Sequence, residues 1–413
     1  VFTVFVLLLS TGAFMNLSLP SFQELSGTAG MLGMQILWSL IYVVTVYLFF
    51  RNCDQPLRTF FSEWPLVALC ALAMMSIFWS QAPGLTFRRS IALLLTLLFG
   101  VYFGSRFSLK QQLRLLAWTC WICVVFSFLF GLLGLGTSVD AGEGVSGWYG
   151  IFVQKGNLGE TMLISALVFL LWGQEEPEHK GSARAGFLAS LVLIALSRST
   201  SSVVALVLLL ALLPYLNWTS RKSARWTVAG IGFLAAAGTA SLVYVATHLE
   251  QVTGLLGKSA TLTGRIQIWI LSTVMALRRP WLGYGYSAFW LQDQGPTVRI
   301  WNTLGWDAPH AHNGFLELWL ELGVVGVVLF LLVFVYYAAL AIRHLRRHRG
   351  ARAAAWPLLF LCSMLLLNLT GVTFLSRNSI FSILLGATVV VTRVRRDPAY
   401  APAVLGGASP GLA

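Results

Sequence analysis

The sequence predicts an all-α integral membrane protein, with about 12 transmembrane helices and one long periplasmic loop carrying an amphipathic helix. Three observations predict it. Of its residues 57% are hydrophobic and only 10% charged, too little charge to cover a water-soluble domain of this size. The apolar residues come in runs near the roughly 20 needed to cross the hydrocarbon core. Ten-residue segments of alternating polarity, the mark of a membrane barrel, are absent, so the backbone in lipid has to satisfy its own hydrogen bonds as helix.

The runs fall near 2–19, 31–50, 64–80, 90–105, 113–136, 157–173, 185–197, 200–217, 226–247, 313–341, 355–375 and 378–392. The first lacks a small-residue cleavage site and reads as a retained anchor. The seventh and twelfth are short, which predicts tilt, interruption or burial among neighbours. The Gly-rich loop 137–156 carries Asp140, Glu143 and Lys155, and the loop 174–184 reads as a solvated connector. From 264 to 278, Ile266, Trp269, Ile270, Thr273, Val274 and Leu277 recur at helical spacing, with Arg265, Gln267 and Ser272 elsewhere on the wheel. With Thr263 as N-cap and Pro280 as stop, this predicts an amphipathic helix on the outer leaflet. The aromatics that follow, Trp281, Tyr284, Tyr286 and Trp290, suit either a headgroup belt or stacking on sugar rings. The chain divides into one polytopic membrane domain, 1–396, whose long loop spans about 248–312. A disordered cytoplasmic tail, 397–413, is rich in Pro, Gly and Ala.

The net charge of +13 does not point to nucleic acid, because its distribution follows the membrane. With the N-terminus cytoplasmic, most of the 28 basic residues fall in inner loops, as the positive-inside rule requires; the cluster at 343–352 is the densest of these. Arg88, Arg89, Lys155, Arg198, Lys258, Arg265, Arg278, Arg279, Arg299 and Arg377 face outward against that rule, and a polyanionic ligand on the outer side accounts for them. Cys70, Cys120, Cys123 and Cys362 fall within spans and Cys53 in a cytoplasmic loop, a pattern for neither an exported disulfide nor a metal site. Asp-x-Asp, His-x-x-Glu-His and phosphate-loop patterns are missing, so the expectation is a reaction without metal, nucleotide or other cofactor.

Histidine is the natural base near neutral pH. His310 and His312 lie just before the first turn of the tenth span. The positive end of that helix disfavours imidazolium and keeps His312 neutral, as a base requires, while Glu317 pulls the other way. The pair equally fits polar residues at headgroup level. Arg198, in a tight turn between two spans, reads as a diphosphate clamp or as a snorkelling side chain, since guanidinium forks match phosphate oxygens. Arg265 opens the amphipathic helix and could serve the same purpose.

An ordered set of blocks carries a resemblance. It comprises Ile77-Phe78-Trp79-Ser80 with Pro83 and Arg88-Arg89, then Gly150-Ile151-Phe152-Val153-Gln154-Lys155, Leu196-Ser197-Arg198-Ser199 and Thr263-Gly264-Arg265 with Trp269. It continues through Arg279-Pro280-Trp281-Leu282-Gly283-Tyr284-Gly285 to Pro309-His310-Ala311-His312-Asn313-Gly314 with Glu321-Leu322-Gly323. Over about 76–326 the chain resembles the O-antigen ligase/polymerase family of bacterial membrane glycosyltransferases, and the last two blocks look most like its exopolysaccharide polymerisation branch. One departure is that the family commonly joins Lys to Asn, whereas Gly156 separates Lys155 from Asn157.

The resemblance implies a bacterial inner-membrane enzyme whose active site faces the periplasm. It would transfer a glycan from undecaprenyl diphosphate to a sugar hydroxyl, with inversion and without metal. His312 would be the catalytic base, Arg198, Arg265 and Arg89 would hold the diphosphate, and His310, Asn313 and Glu317 would support them. The acceptor is a second lipid-linked repeat unit in a polymerase, or lipid A–core in an O-antigen ligase. Polysaccharide chain-length or export proteins are the implied partners, alongside the bilayer and the two glycolipids. The rival from another class is a transporter or flippase for lipid-linked oligosaccharide. It would show pseudo-repeated halves, and none is seen in the sequence.

Overall fold

A computed structural model describes residues 1–15, 29–52, 60–139, 146–247, 261–291, 295–348 and 352–393. Helices fall in every predicted run but do not always fill it: among its described residues the run 2–19 is α-helical only over Phe2–Ser10, and the run 355–375 only over Trp356–Leu367. They are α1 (Phe2–Ser10), α2 (Ala29–Asn52), α3 (Trp64–Met75), α4 (Pro83–Arg106), α5 (Leu109–Leu132), α6 (Lys155–Glu175), α7 (Lys180–Ser197), α8 (Thr200–Thr219) and α9 (Ala224–Thr247). The long loop contributes α10 (Thr261–Arg278) and α11 (Pro296–Leu304), and α12 (Gly314–Arg347), α13 (Trp356–Leu367) and α14 (Ile380–Arg393) complete the bundle. Among the described residues the fold is all-α apart from one small hairpin, β1 (Thr137–Val139) paired antiparallel with β2 (Ser146–Trp148). Among the described residues 7 helices are long and apolar enough to cross a membrane, and Trp64–Phe78, Arg352–Leu367 and Ile380–Arg393 are shorter apolar helices. Cys53, Asp140, Glu143, Lys258 and the tail 397–413 lie outside the described residues.

Local chemistry sets the ends of these helices. Ser108 and Gln111 form a reciprocal capping box that starts α5. Pro83 sits in the first turn of α4, where its missing N–H costs nothing. The core gathers around α6, the most enclosed span, with 72% of its apolar window buried against 22–44% in the others. Between α4 and α14 the backbones touch: a Cβ on Gly100 would lie 2.3 Å from the Ile383 carbonyl. In lipid, where apolar burial does not drive helices together, such close approach supplies the attraction.

Several expectations change. The amphipathic helix begins at Thr261, so Thr263 lies inside its first turn and is not its N-cap. The long loop holds a second helix, α11, too short for a periodicity reading to isolate. The seventh span is not short: with the turn at Pro177–His179 it runs to Ser197, its charged Lys180 and Arg184 having masked its start. The loop 174–184 is more than a connector, because Glu176 is buried and its carboxylate takes Arg114 in paired contacts of 2.8 and 3.1 Å and the Trp172 indole N–H at 2.9 Å. These bonds tie α5 to the α6–α7 hairpin.

The largest departure is in α12, which is broken. Gly323 is non-helical, at φ 68° and ψ −171°, so a short half-helix precedes the break and the long span follows it. A break frees carbonyls on one side and N–H groups on the other. The segment 280–285 satisfies both: Tyr284 and Gly285 donate to the Leu320 and Glu321 carbonyls at 2.8 and 2.9 Å, and Val324 and Val325 donate to the Pro280 and Trp281 carbonyls at 2.8 and 3.2 Å. A Cβ on Gly323 would lie 2.1 Å from the Trp281 carbonyl oxygen. Gly323→Ala is therefore expected to lower the thermal midpoint in detergent, by a strain of about 1–3 kcal/mol or more. Gly181→Ala, whose Cβ would meet nothing within 4 Å, is the matched control and should leave the midpoint unchanged or slightly higher.

Candidate functional site

The segment that fills the α12 break also collects the other motifs. The Trp79 indole donates to the Leu282 carbonyl at 2.8 Å, and Gln81 donates through its backbone to Tyr284 and through its side chain to Ala288. Ser80 packs so closely on Gly285 that a Cβ there would meet its hydroxyl at 2.4 Å. Tyr286 donates its N–H to Ser76 and its hydroxyl to the Leu375 carbonyl. The start of α4, the 280–291 segment, the α12 half-helix and the loop after α13 thus form one end of the bundle.

The histidine loop is built on that end. Asn313 caps α12, its Oδ1 accepting from the Phe315 and Leu316 N–H groups at 3.0 Å each. Gly314 donates to the Asn368 carbonyl at 2.9 Å. Buried Glu317 reaches back with one oxygen, which accepts from the Ala311 N–H at 2.8 Å and the Trp290 indole at 3.0 Å. The Ala311 carbonyl accepts from the Trp269 indole at 3.0 Å. Pinned on both sides, His312 is held at φ 51°, a left-handed conformation a non-glycine residue adopts only under constraint. Arg198, Ser287, Leu375 and Asn378 also have positive φ, so strained backbone collects around this end.

His310 and His312 meet edge to face, ring centroids 4.1 Å apart. The His312 N–H donates to His310 Nδ1 at 3.2 Å, so a neutral His310 carries its proton on Nε2. Burial pushes the His310 imidazole down to about 4, with Arg265 adding to the effect. Burial likewise pushes His312 down to about 3, helped by His310 and then Arg265. A neutral His312 was expected from the helix end. The neutrality is present, but burial causes it first, with the neighbouring His310 and the Arg265 guanidinium adding to it, while Glu317 is engaged with Ala311 and Trp290.

Arg265 on α10 is close enough to act on both imidazoles and on Glu160 of α6. The Glu160 carboxylate in turn sits against Gly371, where a Cβ would meet it at 2.7 Å. Arg198 closes α7 as its left-handed C-cap and is exposed. Its neighbour Ser199 packs on Gly159, the residue before Glu160, while Gly147 of β2 lies between Lys155 and the Ser197 carbonyl. The first turns of α6 therefore link the Arg198 turn to the Glu160–Arg265 pair beside the histidines. Arg89 belongs to a separate cluster: it donates to the Ser287 carbonyl, Arg377 donates to the Ser287 hydroxyl at 3.0 Å, and Glu321 accepts from the Ser287 N–H. Beside Asn313 an open, mostly apolar groove of about 470 Å³ runs between α10 and α12, lined by Trp269, Thr273, Phe315, Leu316, Trp319, Val324 and Val327.

Sequence reasoning missed Asn368 and the parts played by Glu160 and by Trp290, which was read as belt or sugar-stacking surface and instead donates to Glu317. Asn368 is fully buried and accepts from the Thr373 and Phe374 N–H groups, shaping the turn under Gly314. Its signal was a lone amide in an otherwise apolar run. The link between Glu160 and Arg265 has no signal along the chain, since more than a hundred positions separate them.

Residues 185–331, from within α7 into α12, match the family described as O-antigen ligase. That match lies within a helical chain that has 7 helices, among its described residues, long and apolar enough to cross a membrane. The chain is similar to the exopolysaccharide production protein ExoQ of Rhizobium meliloti (strain 1021), at 29% identity over 283 residues, 65% of this chain and 63% of that protein. The chain thus spans less than two thirds of that relative's length. The two findings bear out the resemblance to the family and to its exopolysaccharide branch. The matched family region holds Arg198, Arg265, His310, His312, Asn313 and Glu317, while Arg89 and Glu160 fall outside it.

Replacing Glu317 by Leu leaves the Ala311 and Trp290 N–H groups buried without an acceptor, at about 1–3 kcal/mol each. Thermal unfolding in detergent should show a clear drop in midpoint for Glu317→Leu. Glu317→Gln keeps a carbonyl oxygen that can take both donors, and should fall much less.

Proposed function

We propose that this protein is a membrane glycosyltransferase that moves a glycan from undecaprenyl diphosphate to an acceptor sugar hydroxyl on the periplasmic side, polymerising exopolysaccharide or O-antigen repeat units. The observation that carries the reading is the placing of a half-buried, neutral histidine pair beside Arg265, next in the chain to Asn313, which lines an apolar groove. A lipid-linked diphosphate has both characters, an isoprenoid tail for the groove and a dianionic head for the guanidinium. The similarity to an exopolysaccharide production protein favours polymerisation over transfer to lipid A–core.

In this mechanism Arg265 holds the diphosphate and absorbs charge as it leaves, with Arg198 reaching in from the α7–α8 turn. Arg89 contributes at longer range, since it is engaged with Ser287. The acceptor oxygen attacks the anomeric carbon opposite the leaving group, the bond to the diphosphate oxygen breaks, and His312 takes the hydroxyl proton. The anomeric centre inverts. His310, its Nδ1 occupied, positions the His312 loop, and Asn313 and Glu317 hold that loop on α12.

Two measurements test the proposal. In nanodiscs with a synthetic undecaprenyl-diphosphate glycan and EDTA present, wild type should extend a second lipid-linked repeat unit. His312→Ala should lose about 10²–10⁴ in rate, the usual worth of a general base, while still binding donor. Transfer to lipid A–core instead makes the protein a ligase, and donor binding with transfer to neither acceptor moves the transporter reading ahead.

The pH profile carries the sign of the His312 environment. A base works when unprotonated, and His312 is pushed down to about 3, so the acid limb of kcat/KM should lie well below the ordinary histidine range near 6.5. Bound diphosphate adds negative charge beside the imidazole and raises its pKa. The acid limb of kcat should therefore sit at higher pH than that of kcat/KM. Coincident limbs at the ordinary histidine value would remove His312 as the base.

A further inference from the structure

We infer that Asn302, Trp306 and Asp307 form a platform for a neutral sugar ring, the acceptor subsite of the transfer reaction; the word acceptor rests on the glycosyl-transfer reading above. Five tryptophans at this end of the bundle use their indole N–H to hold a loop: Trp79 on Leu282, Trp269 on Ala311, Trp290 on Glu317, Trp301 on Ala308 and Trp319 on Pro280. Trp306 differs. It is 45% exposed, and among the described residues its N–H has no hydrogen-bond partner.

Its surroundings argue against a lipid-facing role. Trp281 is also exposed, but it adjoins exposed Leu282 at the α12 break, where exposed Val325 and Val328 follow, an apolar surface. Trp306 instead has exposed Asn302, Thr303, Gly305 and Asp307 as its neighbours along the chain. An exposed indole with an exposed amide one helical turn before it and an exposed carboxylate next in the chain offers what a sugar ring needs: an aromatic surface for its C–H face, and an acceptor and a donor for its hydroxyls.

The platform is rigid and leads to the histidines. Thr297 donates to the Phe289 carbonyl at 2.6 Å and Ile300 is fully buried, which fixes α11 on the body. Gly305, at φ 75°, closes the helix by donating to the Trp301 carbonyl, and the Trp301 indole grips Ala308 at 2.9 Å. The short strap from Asp307 thus runs through buried Ala308 and Ala311 to His312. Charge separates this subsite from the donor's. Among the described carboxylates at this end, Glu160, Glu317, Glu321 and Asp307, Asp307 alone is exposed. An exposed carboxylate repels a diphosphate but accepts from sugar hydroxyls.

The test varies the second lipid-linked repeat at saturating synthetic undecaprenyl-diphosphate glycan, and then the reverse. Trp306→Ala should raise the acceptor KM about 3- to 10-fold, the weight of one aromatic contact, with donor KM unchanged. Trp306→Phe should restore most of the loss, Asp307→Asn should raise acceptor KM less, and Trp281→Ala should leave it unmoved. An unchanged acceptor KM in Trp306→Ala, or equal effects of Trp306→Ala and Trp281→Ala on both substrates, overturns the platform. Saturation-transfer NMR with the free oligosaccharide of that repeat unit gives a readout independent of catalysis. Signal in wild type that is lost in Trp306→Ala supports the platform, and equal signal in both sinks it. If wild type binds the oligosaccharide there yet transfers no glycan, the glycosyl-transfer reading fails while the sugar platform stands.

Discussion

The break in α12 at Gly323 and the backbone segment laid across it organise this end of the molecule. An interrupted helix inside a bundle exposes unpaired carbonyls and N–H groups, and in an apolar setting those groups must find partners or the break cannot exist. Here the partners are the Pro280, Trp281, Tyr284 and Gly285 backbone groups. Because hydrogen bonds run both ways across the break, the half-helix carrying Glu317 and the loop carrying Tyr286 and Ser287 are one unit. Trp79, Ser80 and Gln81 then lock that unit to the start of α4.

From that unit the histidine loop inherits its position. Glu317 projects from the half-helix to hold Ala311, and Asn313 caps the same half-helix, so the turn between them has no freedom to relax His312 out of its left-handed conformation. The strain and the depressed imidazole basicity have one origin, a loop drawn down into a buried, cation-flanked corner. Arg265 reaches that corner from α10 and is balanced by Glu160 from α6.

The opposite end of the bundle is closed by charge pairs instead. Arg114 meets buried Glu176, and Arg393 at the end of α14 meets buried Glu63 at 3.2 Å, with Tyr337 donating to the same carboxylate. A buried carboxylate left without its cation is costly, so these pairs resist separation. The contrast is that one end is stapled by ion pairs, and the other has Arg265 beside the histidine loop and Arg89 and Arg377 on Ser287.

Much of this was legible in the residues. Runs of apolar residues give helices because lipid offers the backbone no alternative partner, and each predicted run holds a helix. The ordered blocks were legible too, and the structure supplies their reason: Trp79 and Ser80, the 279–285 block and Glu321-Leu322-Gly323 are the contacting surfaces of one joint. His310 and His312 could be picked out because titratable groups are rare in such a chain. What the sequence could not carry was register in space. The α12 break reads along the chain as part of one span, since a glycine beside valines does not announce that another segment will satisfy its backbone. The pairing of Arg265 with Glu160, the capture of Arg89 by Ser287, and the burial that sets the His312 proton affinity all depend on which elements pack together. The sequence by itself determined the helices, the membrane class and the short list of chemical groups, because those follow from local solvation. Only the tertiary structure decided which of those groups share a corner and how dry that corner is, because both depend on contacts between residues far apart in the chain.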